Sequence, residues 1–121
     1  MNAVIDIEEL AGRLHEVLLL DVRTPGEYDG SNGQPCDPRQ GHIPGAQNLD
    51  VYRLLELTLD ELRAELPPAS QTGASVEIVA YCHSGSRSDL ATQALRAHGY
   101  SARNYVGSWH EWSRTDLPIE T

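Results

Sequence analysis

Lysine and phenylalanine are both missing from this chain of 121 residues, so every permanent side-chain cation is an arginine. Nine arginines face eighteen carboxylates, for a formal net charge of -9. Phosphate backbones select basic patches, which so few cations can hardly build, and no nucleic-acid partner is expected. Long apolar runs are also lacking. The longest, Val17-Leu18-Leu19-Leu20, falls far short of the roughly 20 residues that cross a bilayer, and no membrane partner is expected. The opening Met1-Asn2-Ala3-Val4-Ile5-Asp6 has neither a basic segment nor an apolar one, so it does not read as a signal peptide; a cytoplasmic location is the expectation. Cysteine is scarce, with only Cys36 and Cys82. Two such residues do not make a disulfide framework, and neither stands at zinc-finger spacing from a Cys or His. No metal and no cofactor are expected.

What remains suits one compact unit. The length fits a single domain over residues 1–121, and 40% hydrophobic residues supply one core. Asp6 and Glu9 have capping-box spacing before Ile7, Leu10, Ala11 and Leu14, which recur at helical intervals. Val17 to Val22 reads as a buried parallel strand, broken by Pro25-Gly26. Residues 29–40, rich in Gly, Pro, Asp and Asn, form a loop, and Asn48 to Val51 reads as a second strand. Thr58 and Glu61 open another helix, which runs to Leu66 and is stopped by Pro67-Pro68. Val76 to Tyr81 is the strongest strand. A helix then runs to His98, with Leu90, Ala91, Ala94 and Leu95 on one face and Gly99 as its stop. Ala102 to Val106 is a last strand, and Ser108 caps a short helix carrying Trp109 and Trp112. Strands alternate with helices, which predicts an α/β fold with a mostly parallel central sheet flanked by helices.

The chemistry concentrates between the strongest strand and the helix after it, in Cys82-His83-Ser84-Gly85-Ser86-Arg87-Ser88. Ligands of open α/β sheets bind outside the carboxyl ends of strands, where Cys82 stands. Backbone N–H groups of such a turn can point inward as a nest for an anion, and the helix N-terminus adds roughly half a positive charge. Both favour thiolate over thiol, and the thiolate is the nucleophile. Gly85 permits a positive φ, the serines offer hydroxyls, and His83 and Arg87 supply a local positive field. A cysteine at a strand end is often only a small buried hydrophobe. Gly, Arg and three hydroxyls beside it favour a site.

These residues resemble the rhodanese homology family. The active loop of that family is a Cys followed by a Gly and a terminal Arg-Ser, here Cys82, Gly85, Arg87 and Ser88. A second motif is Asp21-Val22-Arg23 with Glu27-Tyr28, then Gly41-His42-Ile43-Pro44-Gly45-Ala46 and Asn48-Leu49. The stretch from Asn104 to Trp112 looks like the end of the catalytic half of thiosulfate sulfurtransferases. The resemblance implies a rhodanese-like fold and a sulfurtransferase. Cys82 would take the outer sulfur of a small anionic donor such as thiosulfate as a persulfide and pass it to a thiol or cyanide. His83, Ser84, Gly85, Ser86, Arg87 and Ser88 would bind the donor and the persulfide. Only four residues separate Cys82 from Arg87, whereas related phosphatases resemble a loop one residue longer, sized for phosphate. Two alternatives stay open: a non-catalytic sulfur carrier or regulatory module that serves a protein acceptor, and, disfavoured by loop length, a phosphatase or arsenate reductase. Residues 29–40 lengthen the segment between Tyr28 and Gly41 relative to simple single-domain members.

Smaller roles follow. Asp21 and Arg23 read as structural, with Arg23 pairing Glu27; His42 reads as a structural histidine in a turn, and the two tryptophans as core or pocket wall. Cys36 reads as an ordinary surface thiol, with a persulfide relay or a disulfide to Cys82 as the sharper option.

Overall fold

A computed structural model describes residues 3–66 and 77–121; Pro67-Pro68 and the start of the strand expected at Val76 lie outside them. In chain order the elements are β1 (Val4–Ile5), α1 (Ile7–Ala11), β2 (Leu18–Asp21), α2 (Pro25–Asp29), β3 (Gln47–Asn48), α3 (Val51–Glu56), α4 (Leu59–Glu65), β4 (Glu77–Tyr81), α5 (Ser86–Ala97), β5 (Ser101–Tyr105) and α6 (Ser108–Trp112). The strands make one sheet in the order β1-β5-β4-β2-β3. Every ladder among the described residues is parallel, and an isolated antiparallel bridge joins His42 to Glu120. This is the α/β architecture the alternation of elements predicts.

Helices cover both faces, which is why β2 and β4 read as nearly unbroken apolar runs. Successive side chains go to opposite sides. Leu20, Val22, Ile78, Ala80 and Cys82 pack with Leu54, Leu62, Ala91 and Leu95 on one face. Leu19, Val79 and Tyr81 pack with Leu10, Trp109 and Trp112 on the other. Cys82 therefore continues the row of Ile78 and Ala80 out of the sheet and under α5. No helix among the described residues is long and apolar enough to cross a membrane.

Three local expectations need correction. Pro25 opens α2 rather than merely ending a strand: Thr24 and Glu27 close a full capping box around it, and proline at the first helical position loses no hydrogen bond. The second strand covers only Gln47–Asn48; the Asp50 carboxylate accepts from the N–H of Tyr52 at 2.9 Å, and Val51 starts α3. On α5 the inward face is Ser88, Ala91, Thr92 and Leu95, at spacings of three and four, so Leu90 falls to the solvent side, 48% exposed.

Candidate active site

Cys82 sits at the carboxyl end of β4, near the middle of the sheet, and is 1% exposed. The chain then turns back over its sulfur. Gly85, at φ +100°, donates its N–H to Cys82 Sγ at 3.0 Å. The Ser88 hydroxyl donates to the same sulfur at 3.3 Å. Gly85 also stands immediately before α5, a helix of 12 residues, whose N-terminus faces the thiol.

Two opposing effects act on the Cys82 thiol. Burial pushes its pKa up, because it disfavours the charged form; the Ser88 hydroxyl and the backbone N–H groups of Ser88, Gly85 and Ser84 push it down. The donors win, and the thiol lies below its ordinary range. Converging N–H groups favour the thiolate form, and a buried structural cysteine would lack them. Removing the Ser88 hydroxyl tests this balance. A hydrogen bond to a charged group contributes about 1.5–3 kcal/mol, so Ser88→Ala should raise the pH midpoint of iodoacetamide alkylation by about one to two units. The sign follows from linkage. The thiolate persists above the folded pKa, and alkylation slows as pH falls through it. An unmoved midpoint means that the hydroxyl does not hold the charge.

The loop is braced from β5 and α6. The Cys82 N–H donates to the Ser108 hydroxyl at 3.1 Å, which in turn donates to the Tyr105 carbonyl at 2.8 Å. Trp109 and His110 donate their N–H groups to the carbonyls of Cys82 and His83, each at 2.9 Å. The Asn104 amide donates to the Gly85 carbonyl at 3.1 Å. Ser108 itself takes a positive φ of 54° without being glycine. Such strain persists where surrounding bonds over-determine it.

Both basic side chains of the loop are partnered. Arg87 makes two bonds to the Glu27 carboxylate, at 2.8 and 3.0 Å. Its guanidinium holds Glu27 at about 2 against the opposing pull of burial. His83 Nε2 lies 3.1 Å from Asp37 Oδ2. Much of the positive field expected from these side chains is thus offset locally. The cradle around the sulfur is built chiefly from backbone N–H groups and one hydroxyl.

A family model described as rhodanese-like domain matches residues 6–115. The chain belongs to the rhodanese-like domain family. A thiosulfate sulfurtransferase of Corynebacterium glutamicum is 37% identical over an alignment of 135 residues, covering 95% of this chain and 43% of that protein. Sulfur carrier protein TtuD of Thermus thermophilus is 37% identical over 98% of this chain and 45% of its own length. This chain therefore spans less than half of either bacterial relative. The human single-domain sulfurtransferase TSTD1 superposes with a TM-score of 0.73 at 30% identity, covering 96% of this chain and 99% of that one.

Within this rhodanese-like loop, the residues picked out by sequence divide by direction. Cys82, Gly85 and Ser88 converge on the sulfur; Ser84 and Ser86 have exposed side chains, and Ser84 contributes through its N–H. Arg87 and His83 flank the turn. The Arg23–Glu27 pairing expected from helical spacing does not form. Arg23 is bound instead to Asp21, Nη2 to Oδ2 at 2.8 Å, because both lie buried beneath the loop, while Glu27 reaches up to Arg87. Ser108 does not cap α6 with its side chain, since its hydroxyl is committed to Cys82 and Tyr105. His42 is structural as expected, stacked on Tyr28 at 3.7 Å with Nδ1 2.8 Å from the Tyr28 carbonyl. Both tryptophans are core. Sequence reading missed Ser108 as the acceptor for the Cys82 N–H, Asn104 as the donor to the Gly85 carbonyl, Glu27 as the partner of Arg87, and Asp37 as the partner of His83. The spacing Thr24-x-x-Glu27 could have shown that Glu27 caps α2, but not that it reaches Arg87.

Proposed function

We propose that this rhodanese-like domain moves a sulfane sulfur from a small anionic donor, such as thiosulfate, to a thiophilic acceptor through a persulfide on Cys82. One observation carries the reading: the Gly85 N–H and the Ser88 hydroxyl both end on Cys82 Sγ, in a turn that also lowers its pKa. The thiolate attacks the outer sulfur of the donor. The sulfur–sulfur bond of thiosulfate breaks, and sulfite leaves with its electron pair. The new persulfide carries its negative charge on the terminal sulfur. Donors preorganised for an anion stabilise it without reorganisation. An acceptor thiolate or cyanide then attacks that terminal sulfur and returns Cys82 as a thiolate. The positive end of α5 assists both half-reactions, since each moves negative charge within the same turn.

The thiosulfate sulfurtransferase and TSTD1 likenesses support the enzymatic reading, and the likeness to a sulfur carrier supports a protein acceptor as the second one. One experiment separates them. The reduced protein is incubated with thiosulfate and its peptides are weighed. The expected result is a gain of one sulfur atom on the peptide holding Cys82, discharged quickly by cyanide. A stable adduct released only by a protein acceptor assigns the carrier role. Hydrolysis of an aryl phosphate with no adduct defeats both.

A further inference from the structure

One cluster beside the active loop has no part in the proposed sulfur chemistry. The loop between α2 and β3 brings Cys36 and Asp37 against His83. The Cys36 sulfur, one Asp37 oxygen and one His83 nitrogen lie within 4.8 Å of one another. Cys36 Sγ is 4.0 Å from His83 Nε2 and 3.9 Å from Asp37 Oδ1. His83 Nε2 is 3.1 Å from Asp37 Oδ2. A tetrahedral zinc ion, with Zn–S near 2.3 Å and Zn–N or Zn–O near 2.0–2.1 Å, sets its ligands about 3.3–3.6 Å apart. With Asp37 Oδ1 as the oxygen, the three separations are 4.0, 3.9 and 3.2 Å, each within about half an ångström of that arrangement.

Asp37 adds an independent observation. Its side chain is 0% exposed; Oδ1 accepts from Arg114 at 3.0 Å and is hydrogen-bonded to His83 Nε2 at 3.2 Å, a bond the metal would replace. Oδ2 is buried and has no hydrogen-bond partner; His83 Nε2 is close to it but outside hydrogen-bonding geometry. Buried carboxylate oxygens are normally satisfied, and this one keeps a lone pair to give beside the imidazole, while its twin faces the sulfur. A fourth donor stands nearby: His110 Nδ1 is 3.9 Å from Asp37 Oδ1, and its ring meets that of His83 edge-on at 5.6 Å between centroids.

We propose that Cys36, Asp37 and His83 form a zinc site bridging the loop between α2 and β3 to the loop of Cys82. Thiolate, imidazole and carboxylate together match the borderline softness of Zn²⁺ and exclude hard ions such as Mg²⁺ and Ca²⁺, which take oxygen alone. The thiolate and carboxylate charges balance the ion beside Arg114. His110 or water fills the fourth position. The site shares His83 with the sulfur-transfer loop, but Cys82 is not among its ligands, so ion binding can be read without turnover.

The test uses the full, reduced, metal-free chain, titrated with Zn²⁺ and with Co²⁺ as a spectroscopic stand-in. Wild type and Cys82→Ser should each bind one ion and show a thiolate-to-cobalt charge-transfer band. Cys36→Ser, a near-isosteric change at an exposed position, should lose the band while circular dichroism reports an unchanged fold. Its zinc affinity should fall by more than the roughly 10–100-fold that loss of an outer-shell partner costs. Asp37→Asn should weaken binding while circular dichroism reports an unchanged fold. A band that survives Cys36→Ser and disappears in Cys82→Ser puts the ion on the other sulfur and overturns the proposal. Failure of folded wild type to bind zinc overturns it too.

Discussion

Gly85→Ala should slow persulfide formation on Cys82 by about 10²–10³-fold, the loss seen when one preorganised donor to a developing anion is removed. The reason is geometric. Gly85 holds φ at +100°, and a methyl group added there would lie 2.8 Å from the Val106 carbonyl oxygen and 3.1 Å from Val106 Cγ1. Backbone cannot yield as a flexible side chain can, so the turn must move. What moves is the N–H that reaches Cys82 Sγ at 3.0 Å, together with the carbonyl held by Asn104. Left-handed backbone alone costs a non-glycine residue about 1–2 kcal/mol, and a control separates that cost from the lost donor. Gly99 has a similar φ of +92°, but an added methyl there meets nothing within 4 Å. Gly99→Ala should therefore lower the melting temperature modestly and leave the rate of adduct formation unchanged. Equal rates for both variants and wild type would sink the idea that N–H groups hold the sulfur.

This contrast also shows what part of the site was legible in the amino-acid order. The Cys82–Ser88 segment is contiguous, and its chemistry follows from local rules: a strand end, a glycine for the turn, a helix start. The α/β alternation is equally local, since buried parallel strands such as Glu77–Tyr81 read as apolar runs. The illegible parts are contacts between distant segments. Arg87 meets Glu27 across 60 positions, Cys82 leans on Ser108 across 26, and His83 meets Asp37 across 46. No periodicity links such pairs, and a local rule even misdirects, because Arg23 and Glu27 stand at an interval that suits a helical ion pair. Arg23 precedes α2 rather than lying on it, so that interval carries no helical geometry. Short elements were misread for a related reason. A single cap such as Asp50 outweighs the strand preference of Val51.

Replacing Arg23 with Met should cost about 3–5 kcal/mol, the usual result of removing one partner from a buried ion pair, and lower the melting temperature by roughly 10–20 °C. Arg23 and Asp21 are 1% and 0% exposed at their side chains. Asp21 Oδ1 accepts from the Arg23 backbone N–H and from Nε, both at 3.0 Å, and Oδ2 accepts from Nη2 at 2.8 Å. The same guanidinium donates to the Gly41 carbonyl and lies 5.0 Å above Trp109 and 5.7 Å from the ring of Tyr81. Methionine fills part of the volume but supplies none of these donors, so a buried carboxylate loses most of its partners. The Gly41 carbonyl loses one as well. Arg23 also ties the end of β2 to the turn at Gly41 and to α6, whose first residues hold the Cys82 and His83 carbonyls. Loss of stability should therefore come with slower adduct formation measured below the melting transition. The pair itself need not be stabilising: buried ion pairs often give way to apolar residues without loss. The double variant Asp21→Leu with Arg23→Met should accordingly recover much of the stability lost in the single one. Chemical unfolding of the three proteins decides it: if the double variant is the least stable, the donors of Arg23 to other partners outweigh the stranded carboxylate.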